Sequence, residues 1–218
     1  MITKNEEKAI RIVTEDIKKN IPIDSEILIV DSSKDQTPVI AESLGVRVIR
    51  QFPPQGYGKA MDLALRSAKG NVVVTLDCDN TYPVDQIPVL YDMVLNGGYD
   101  IVDTSRLKGK PKAMPMINYL ANWGFALLAS ILFLQRITDL HSGMRAYRKS
   151  MIDSLDFDLR GMALPVELLL KPLRMGFKLG IIFIEYKERI GSSTMEPLRS
   201  AWWTLRRILN VRFGRLIS

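Results

Sequence analysis

Val72-Val73-Val74-Thr75-Leu76 runs straight into Asp77-Cys78-Asp79-Asn80-Thr81-Tyr82-Pro83. The apolar run reads as a strand covered on both faces, as a parallel sheet requires, and the acids mark its carboxyl end. Gly70-Asn71 turns the chain into this strand, and Pro83 begins the next helix. The pattern occurs once more upstream, where Ile27-Leu28-Ile29-Val30 stops at Asp31. Between the two runs the spacing predicts a helix ending near Gly45, a short strand from Val46 to Ile49, and a third helix after a loop holding Pro53, Pro54, Gly56 and Gly58. Further out, Thr3-Lys4-Asn5-Glu6 reads as a capping box for a helix with Ile10, Val13 and Ile17 on its apolar face, with Pro22 after its end. Gly97-Gly98 closes the helix after Pro83, and Ile101-Val102 is a further strand. The alternation predicts an α/β fold with a mostly parallel central sheet flanked by helices.

Composition limits the possibilities. With 218 residues, 47% hydrophobic and 25% charged, the chain is large enough for a real core and unlike a disordered segment. A single cysteine, Cys78, excludes an internal disulfide and fits the reducing cytosol. Thirty basic against 24 acidic residues give +6, which points to polyanionic partners: nucleotide phosphates, nucleic acid or an anionic membrane face.

Two stretches depart from the alternation. Residues 113–135 carry no charge and are long enough to span a bilayer, but Asn118 and Asn122 are costly in hydrocarbon, so a buried or interfacial helix is expected. In residues 197–218, Leu198, Trp202, Leu205, Leu209, Phe213 and Leu216 share one helical face, flanked by Arg199, Arg206, Arg207, Arg212 and Arg215. Such a helix suits a lipid headgroup layer or docks on the sheet with a solvated basic face.

The chemistry lies at the strand ends. Asp77 and Asp79, one residue apart, can share Mg2+ or Mn2+, which favour carboxylate, water and phosphate oxygens. A lone turn or cap needs one acid, and the second adds repulsion that a cation would relieve. For Asp35 the capping role is preferred. His141 has no partner at zinc spacing and reads as a hydrogen-bonding loop residue. Cys78, between two acids, is given no catalytic role.

Taken in order, Asn5-Glu6, Asp31-x-Ser33-x-Asp35, Gly56-Tyr57-Gly58-Lys59-Ala60, Asp77-x-Asp79 with Pro83, Arg106, Thr138-Asp139-x-x-Ser142-Gly143-Met144-Arg145, Gly161-Met162 with Glu167, and Tyr186-x-x-Arg189-x-Gly191-x-Ser193 resemble glycosyltransferase family 2. More narrowly they are similar to the dolichyl or polyprenyl phosphate sugar transferases. The resemblance covers nearly the whole chain. It implies a GT-A type fold, a GDP- or UDP-linked sugar donor, a divalent cation and inversion at the anomeric carbon. Carried over by position, Glu6, Asp31, Asp77 and Gly58 would bind the nucleotide, and Asp77 and Asp79 the metal. Asp79 and Asp139 would be the catalytic acids, and Arg106, Ser142 and Arg189 would meet the acceptor phosphate. Such a phosphate is already ionised and needs orientation more than a base, whereas a hydroxyl acceptor would need Asp139.

The resemblance also has gaps. Only Met1 to Lys4 precede Asn5, so the first strand is expected to be missing from a catalytic unit at 1–195, followed by a basic amphipathic helix at 196–218. The resulting expectation is a metal-dependent transferase acting on polyprenyl phosphate, peripherally attached to the cytoplasmic membrane face through anionic lipid. A soluble hydroxyl acceptor or a catalytically inert membrane module are the alternatives. Nucleic acid is not expected as a partner, because the basic residues form no reading motif. Oligomeric state, sugar and base stay open.

Overall fold

The computed structural model describes residues 1–191 and 197–214. In chain order the elements are β1 (Ile2–Thr3), α1 (Ile10–Asn20), β2 (Leu28–Asp31), α2 (Thr37–Ser43), β3 (Arg47–Arg50), α3 (Tyr57–Ser67), β4 (Val72–Thr75), α4 (Ile87–Leu95), β5 (Ile101–Ser105), α5 (Met116–Phe133), β6 (Arg145–Arg148), α6 (Lys149–Asp153), α7 (Leu164–Arg174), β7 (Leu179–Phe183) and α8 (Pro197–Phe213). Pro38, Pro88 and Pro165 stand in the first turns of α2, α4 and α7, where a missing N–H costs nothing.

The strands form two groups. β1-β2-β3 is wholly parallel, whereas β4-β6-β5-β7 is mixed: β6 runs antiparallel to both β4 and β5, and β7 is parallel to β5. The mostly parallel sheet expected from the apolar runs is therefore interrupted by β6. The side-chain alternation sorts the core into two layers. Ile101 and Tyr147 join Met61, Leu65, Leu164 and Leu168 on one face, while Val102 and Ala146 join Ile10, Val13, Ile17 and Leu90 on the other. Fully burying one such aliphatic chain contributes about 1.5–3 kcal/mol, so each face is strongly specified.

Three expectations need correction here. The first strand is present as Ile2–Thr3, paired with Val30 and Asp31. For the same reason Thr3 is no cap: it is a strand residue, and α1 starts at Ile10 with no side-chain cap. The third is the buried alternative for the uncharged segment, an interfacial helix being the other. α5 is a helix, but only Ala126 and Ala129 are fully buried, and Ile117 and Ile131 are 72% and 62% exposed. By length and composition alone α5 could cross a membrane.

α8 also differs from its helical wheel. Leu198, Trp202, Leu209 and Phe213 face outward, and the helix docks through Thr204, Arg207, Ile208 and Val211. Arg207, expected on the solvated side, is 2% exposed and ion-paired with Glu167, while donating to the carbonyls of Asp158 and Arg160 at 2.7 Å each. An acid contributed by α7 therefore decides which face of α8 turns inward, and a wheel drawn from α8 alone cannot show it. Leu216, Arg215, Ser193 and the 195/196 boundary lie outside the described residues.

A cavity of about 650 Å³ runs along β2 and β4 between Ile17, Ile27, Leu65, Val72 and Tyr91. None of the strand-end acids lines it.

Candidate active site

The end of β2 is chemically saturated. Asp31 is fully buried and accepts from Thr3 Oγ1 at 2.7 Å, Ser33 Oγ at 2.6 Å and Ser33 N–H at 3.1 Å, and it is ion-paired with Arg50. Arg50 is there because the β2–β3 register sets it directly opposite Asp31. Asp31, expected at the nucleoside, ties β1, the β2 turn and β3 together. The neighbouring turn is built the same way: Asp35 accepts from Thr37 N–H at 3.0 Å, and Thr37 Oγ1 accepts from Glu6 N–H at 2.9 Å. Glu6 itself is half-buried, with its carboxyl pushed up to about 7 chiefly by burial, with Asp79, Asp77 and Asp35 adding to the effect and Arg189 opposing it.

The end of β4 is left with charge to compensate. Asp79 is 2% exposed and accepts from Thr81 N–H at 3.1 Å and Thr81 Oγ1 at 2.5 Å. Its Oδ2 accepts from Arg189 Nε at 2.8 Å and Nη2 at 2.5 Å. Among the described residues Asp77 forms no hydrogen bond or ion pair, and burial first, then Asp79, pushes its carboxyl up to about 6 against the pull of Arg106 and Arg189. Gly143 packs against this carboxylate: a Cβ at Gly143 would fall 2.3 Å from Asp77 Oδ2, so only glycine lets the two approach. An unpartnered carboxylate beside a second one, with Glu6 nearby, fits the hard-oxygen donor set of Mg2+ or Mn2+, whose remaining positions go to water and diphosphate oxygens. No third His, Cys, Asp or Glu joins them among the described residues. The Cys78 thiol is pushed up to about 12 by burial and the surrounding acids, which leaves it unreactive.

The 138–145 loop turns its polar side chains inward. Asp139 is fully buried and forked by Arg106, with Nε to Oδ2 at 2.7 Å and Nη2 to Oδ1 at 3.0 Å, and His141 N–H adds a bond at 2.9 Å. Although burial alone would raise it, Arg106 holds the Asp139 carboxyl below its ordinary value. Such a group is a poor base, and a guanidinium so engaged is a poor free ligand for phosphate. Ser142 shares a hydrogen bond with Thr104 Oγ1 at 2.8 Å and donates to Met144 O at 3.2 Å. His141 bonds to Thr204 of α8 at 2.8 Å, and burial pulls its imidazole down to about 4. Arg145 closes the loop on Asp103 at 2.6 Å, with both side chains 1% exposed.

Gly58 is packed closely. A Cβ there would lie 2.2 Å from the carbonyl oxygen of Leu159, so its small size admits the 159 backbone. Sequence reasoning missed Arg50, Thr81 and Tyr82, and gave Tyr186 of the last motif no role. Tyr82 accepts from Gly143 N–H at 2.6 Å, and its ring meets Tyr186 edge-on at 5.7 Å, while the Arg106 guanidinium lies 5.2 Å from the centre of the Tyr186 ring. Thr81 and Tyr82 stand in the stretch that decides the fold, but short polar and aromatic residues after an acid are ordinary turn composition and gave no signal.

This geometry can be set beside known proteins. The model of glycosyl transferase family 2 matches residues 1–156. The chain is 40% identical over 197 residues to a dolichyl-phosphate hexose transferase of Haloferax volcanii, covering 90% of this chain and 85% of that one. It is 30% identical over 155 residues to a dolichol-phosphate mannosyltransferase of Pyrococcus furiosus, covering 67% and 44%. Among solved structures, glucosyl-3-phosphoglycerate synthase of Mycobacterium tuberculosis, in complex with Mn2+, UDP and glucosyl-3-phosphoglycerate, superposes with a TM-score of 0.78 at 22% identity, over 97% of this chain and 77% of that one. The fold is thus of GT-A type, and the chain belongs to glycosyl transferase family 2, a glycosyltransferase.

Proposed function

We propose that the chain moves a hexose from a nucleoside diphosphate sugar to a polyprenyl phosphate, with inversion, at the cytoplasmic face of a membrane. The observation that carries this reading is the corner at the end of β4, where Asp77 has no partner among the described residues and Asp79 is buried beside it. Asp77 and Asp79 would hold Mg2+ or Mn2+, which when bound supplies positive charge against the departing diphosphate. The chain's own residues do the rest. Thr81 fixes the rotamer of Asp79, and Gly143 admits the Asp77 carboxylate.

The acceptor follows from what the site lacks. Asp139, ion-paired and held below its usual range, is poorly suited to take a proton from a hydroxyl. An already ionised phosphate needs no such base, which favours polyprenyl phosphate over a soluble hydroxyl. The names of the Haloferax and Pyrococcus relatives point the same way. The exposed apolar residues of α5 and α8, with Arg199 and Arg206 on α8, supply a face for anionic lipid: Trp202 and Phe213 are 63% and 69% exposed, and Arg212 donates to Leu132 O at 2.7 Å, joining the two helices. We read 1–195 as the catalytic unit and α8 as its lipid-facing helix.

The test is hexose transfer from UDP- and GDP-sugars with and without polyprenyl phosphate, Mn2+ and EDTA. Product that requires both the lipid phosphate and the cation supports the reading. Equal product with a soluble hydroxyl acceptor would contradict it.

A further inference from the structure

Arg189 reaches the acidic corner from far along the chain. Residues 187–190 run beside the turn after β4: Lys187 N–H donates to Thr81 O at 3.0 Å, and Ile190 N–H to Asp79 O at 2.9 Å. These backbone bonds fix the segment and present the Arg189 side chain to Asp79 Oδ2. Asp79 is almost wholly buried, so its charge requires a counter-charge at all times. Arg189 is different, since 34% of its side chain is exposed and the guanidinium can leave without unpacking a core.

A guanidinium and a divalent cation compete for the same oxygen. We propose that Arg189 is a movable counter-charge on the donor side of the site: it neutralises Asp79 in the donor-free protein, yields Oδ2 to the incoming cation, and then pairs with the diphosphate oxygens. The inference rests on the reading of Asp77 and Asp79 as the cation site, and it moves Arg189 from acceptor to donor. The charges explain why the exchange would be ordered. A bare cation must displace Arg189 into water, whereas a cation arriving with a diphosphate brings a new anionic partner for it. The planar fork of arginine suits both, because it binds a carboxylate and a phosphate in the same bidentate way. Cation and nucleotide should therefore bind with positive coupling, and each should raise the affinity of the other by the same factor.

The experiment is Mn2+ titration of the full chain followed by electron paramagnetic resonance, alone and with UDP or GDP, which needs no turnover. Arg189→Gln is expected to bind bare Mn2+ about tenfold more tightly than the native chain, the size of one charge-assisted pair, and to lose about as much of the gain that nucleotide gives. Arg189→Lys keeps a charge on Asp79 and so guards against misfolding of the glutamine variant. It should retain weak binding of bare Mn2+ yet lose most of the nucleotide coupling, because it lacks the fork. Unchanged Mn2+ affinity and coupling in both variants, with Asp79→Asn abolishing Mn2+ binding, would overturn the inference and leave the cation site standing. Full Mn2+ binding by Asp79→Asn in the presence of nucleotide would remove the cation site and the inference with it.

Discussion

Two strands end in acid, and their acids meet opposite fates. At the end of β2, Asp31 is satisfied by two hydroxyls, a backbone N–H and Arg50. At the end of β4, Asp77 has no partner among the described residues, and Asp79 leans on a guanidinium that is one-third exposed. In sequence the two ends look alike, an apolar run that stops at aspartate. What separates them is Asp77: Asp79 is as fully hydrogen-bonded as Asp31, through Thr81 and Arg189, whereas Asp77 has no donor among the described residues. An acid left without donors beside a second acid is the one open to a cation.

The comparison can be broken most sharply at Asp79. Asp79→Asn should reduce transfer by the folded protein by roughly three orders of magnitude, since it removes a carboxylate from the cation site, and should also cost about 2 kcal/mol of stability, since it breaks the pair with Arg189. Initial rates and a melting curve check both halves. Asp31→Asn should cost stability alone. It places an amide among donors, and because Arg50 is partly solvated the cost is about 2–3 kcal/mol of stability, read by urea unfolding, with transfer by the folded fraction nearly unchanged. If Asp31→Asn abolished transfer in a stable protein, the division between the two ends would fail.

A smaller effect tests the loop that carries Asp139. The His141 imidazole is pulled down to about 4 by burial, so it is neutral in the fold near pH 5 but charged in the unfolded chain. A depressed folded value contributes stability above the unfolded one, near 6.5, that is lost as pH falls toward 4. His141 should thus contribute a loss of about 3 kcal/mol across that window, and His141→Asn should remove that contribution from the decline seen in melting curves. Smallest is Gly143→Ala. Its methyl would press on Asp77 Oδ2 and should weaken Mn2+ binding with nucleotide about tenfold, with little change at the β2 end.

Much of the scaffold was legible because periodicity records burial. The apolar runs 27–30 and 72–76 carry the strands Leu28–Asp31 and Val72–Thr75 because continuous apolar runs need cover on both faces, and α1 follows from Ile10, Val13 and Ile17. The antiparallel β6 was not legible, since direction depends on the connection and not on composition. The acidic pair at the end of β4 was visible as spacing. Its partners were not: Arg50 reaches Asp31 through strand register, Arg106 reaches Asp139 across 33 residues, and Arg189 reaches Asp79 across 110. Ser142 and Gly58 show the same limit, because a motif fixes residue type and leaves open which way a side chain faces. α8 adds a further case: its apolar stripe was visible, yet Glu167 on α7 turns Arg207 inward and the stripe outward.

The most direct measurement is the anomalous difference map at the manganese edge from crystals of the chain grown with Mn2+ and UDP. The account predicts one peak in contact with Asp77 and Asp79, with the Arg189 guanidinium moved onto the diphosphate. A map without that peak, with Arg189 still on Asp79 and UDP bound elsewhere, would contradict it.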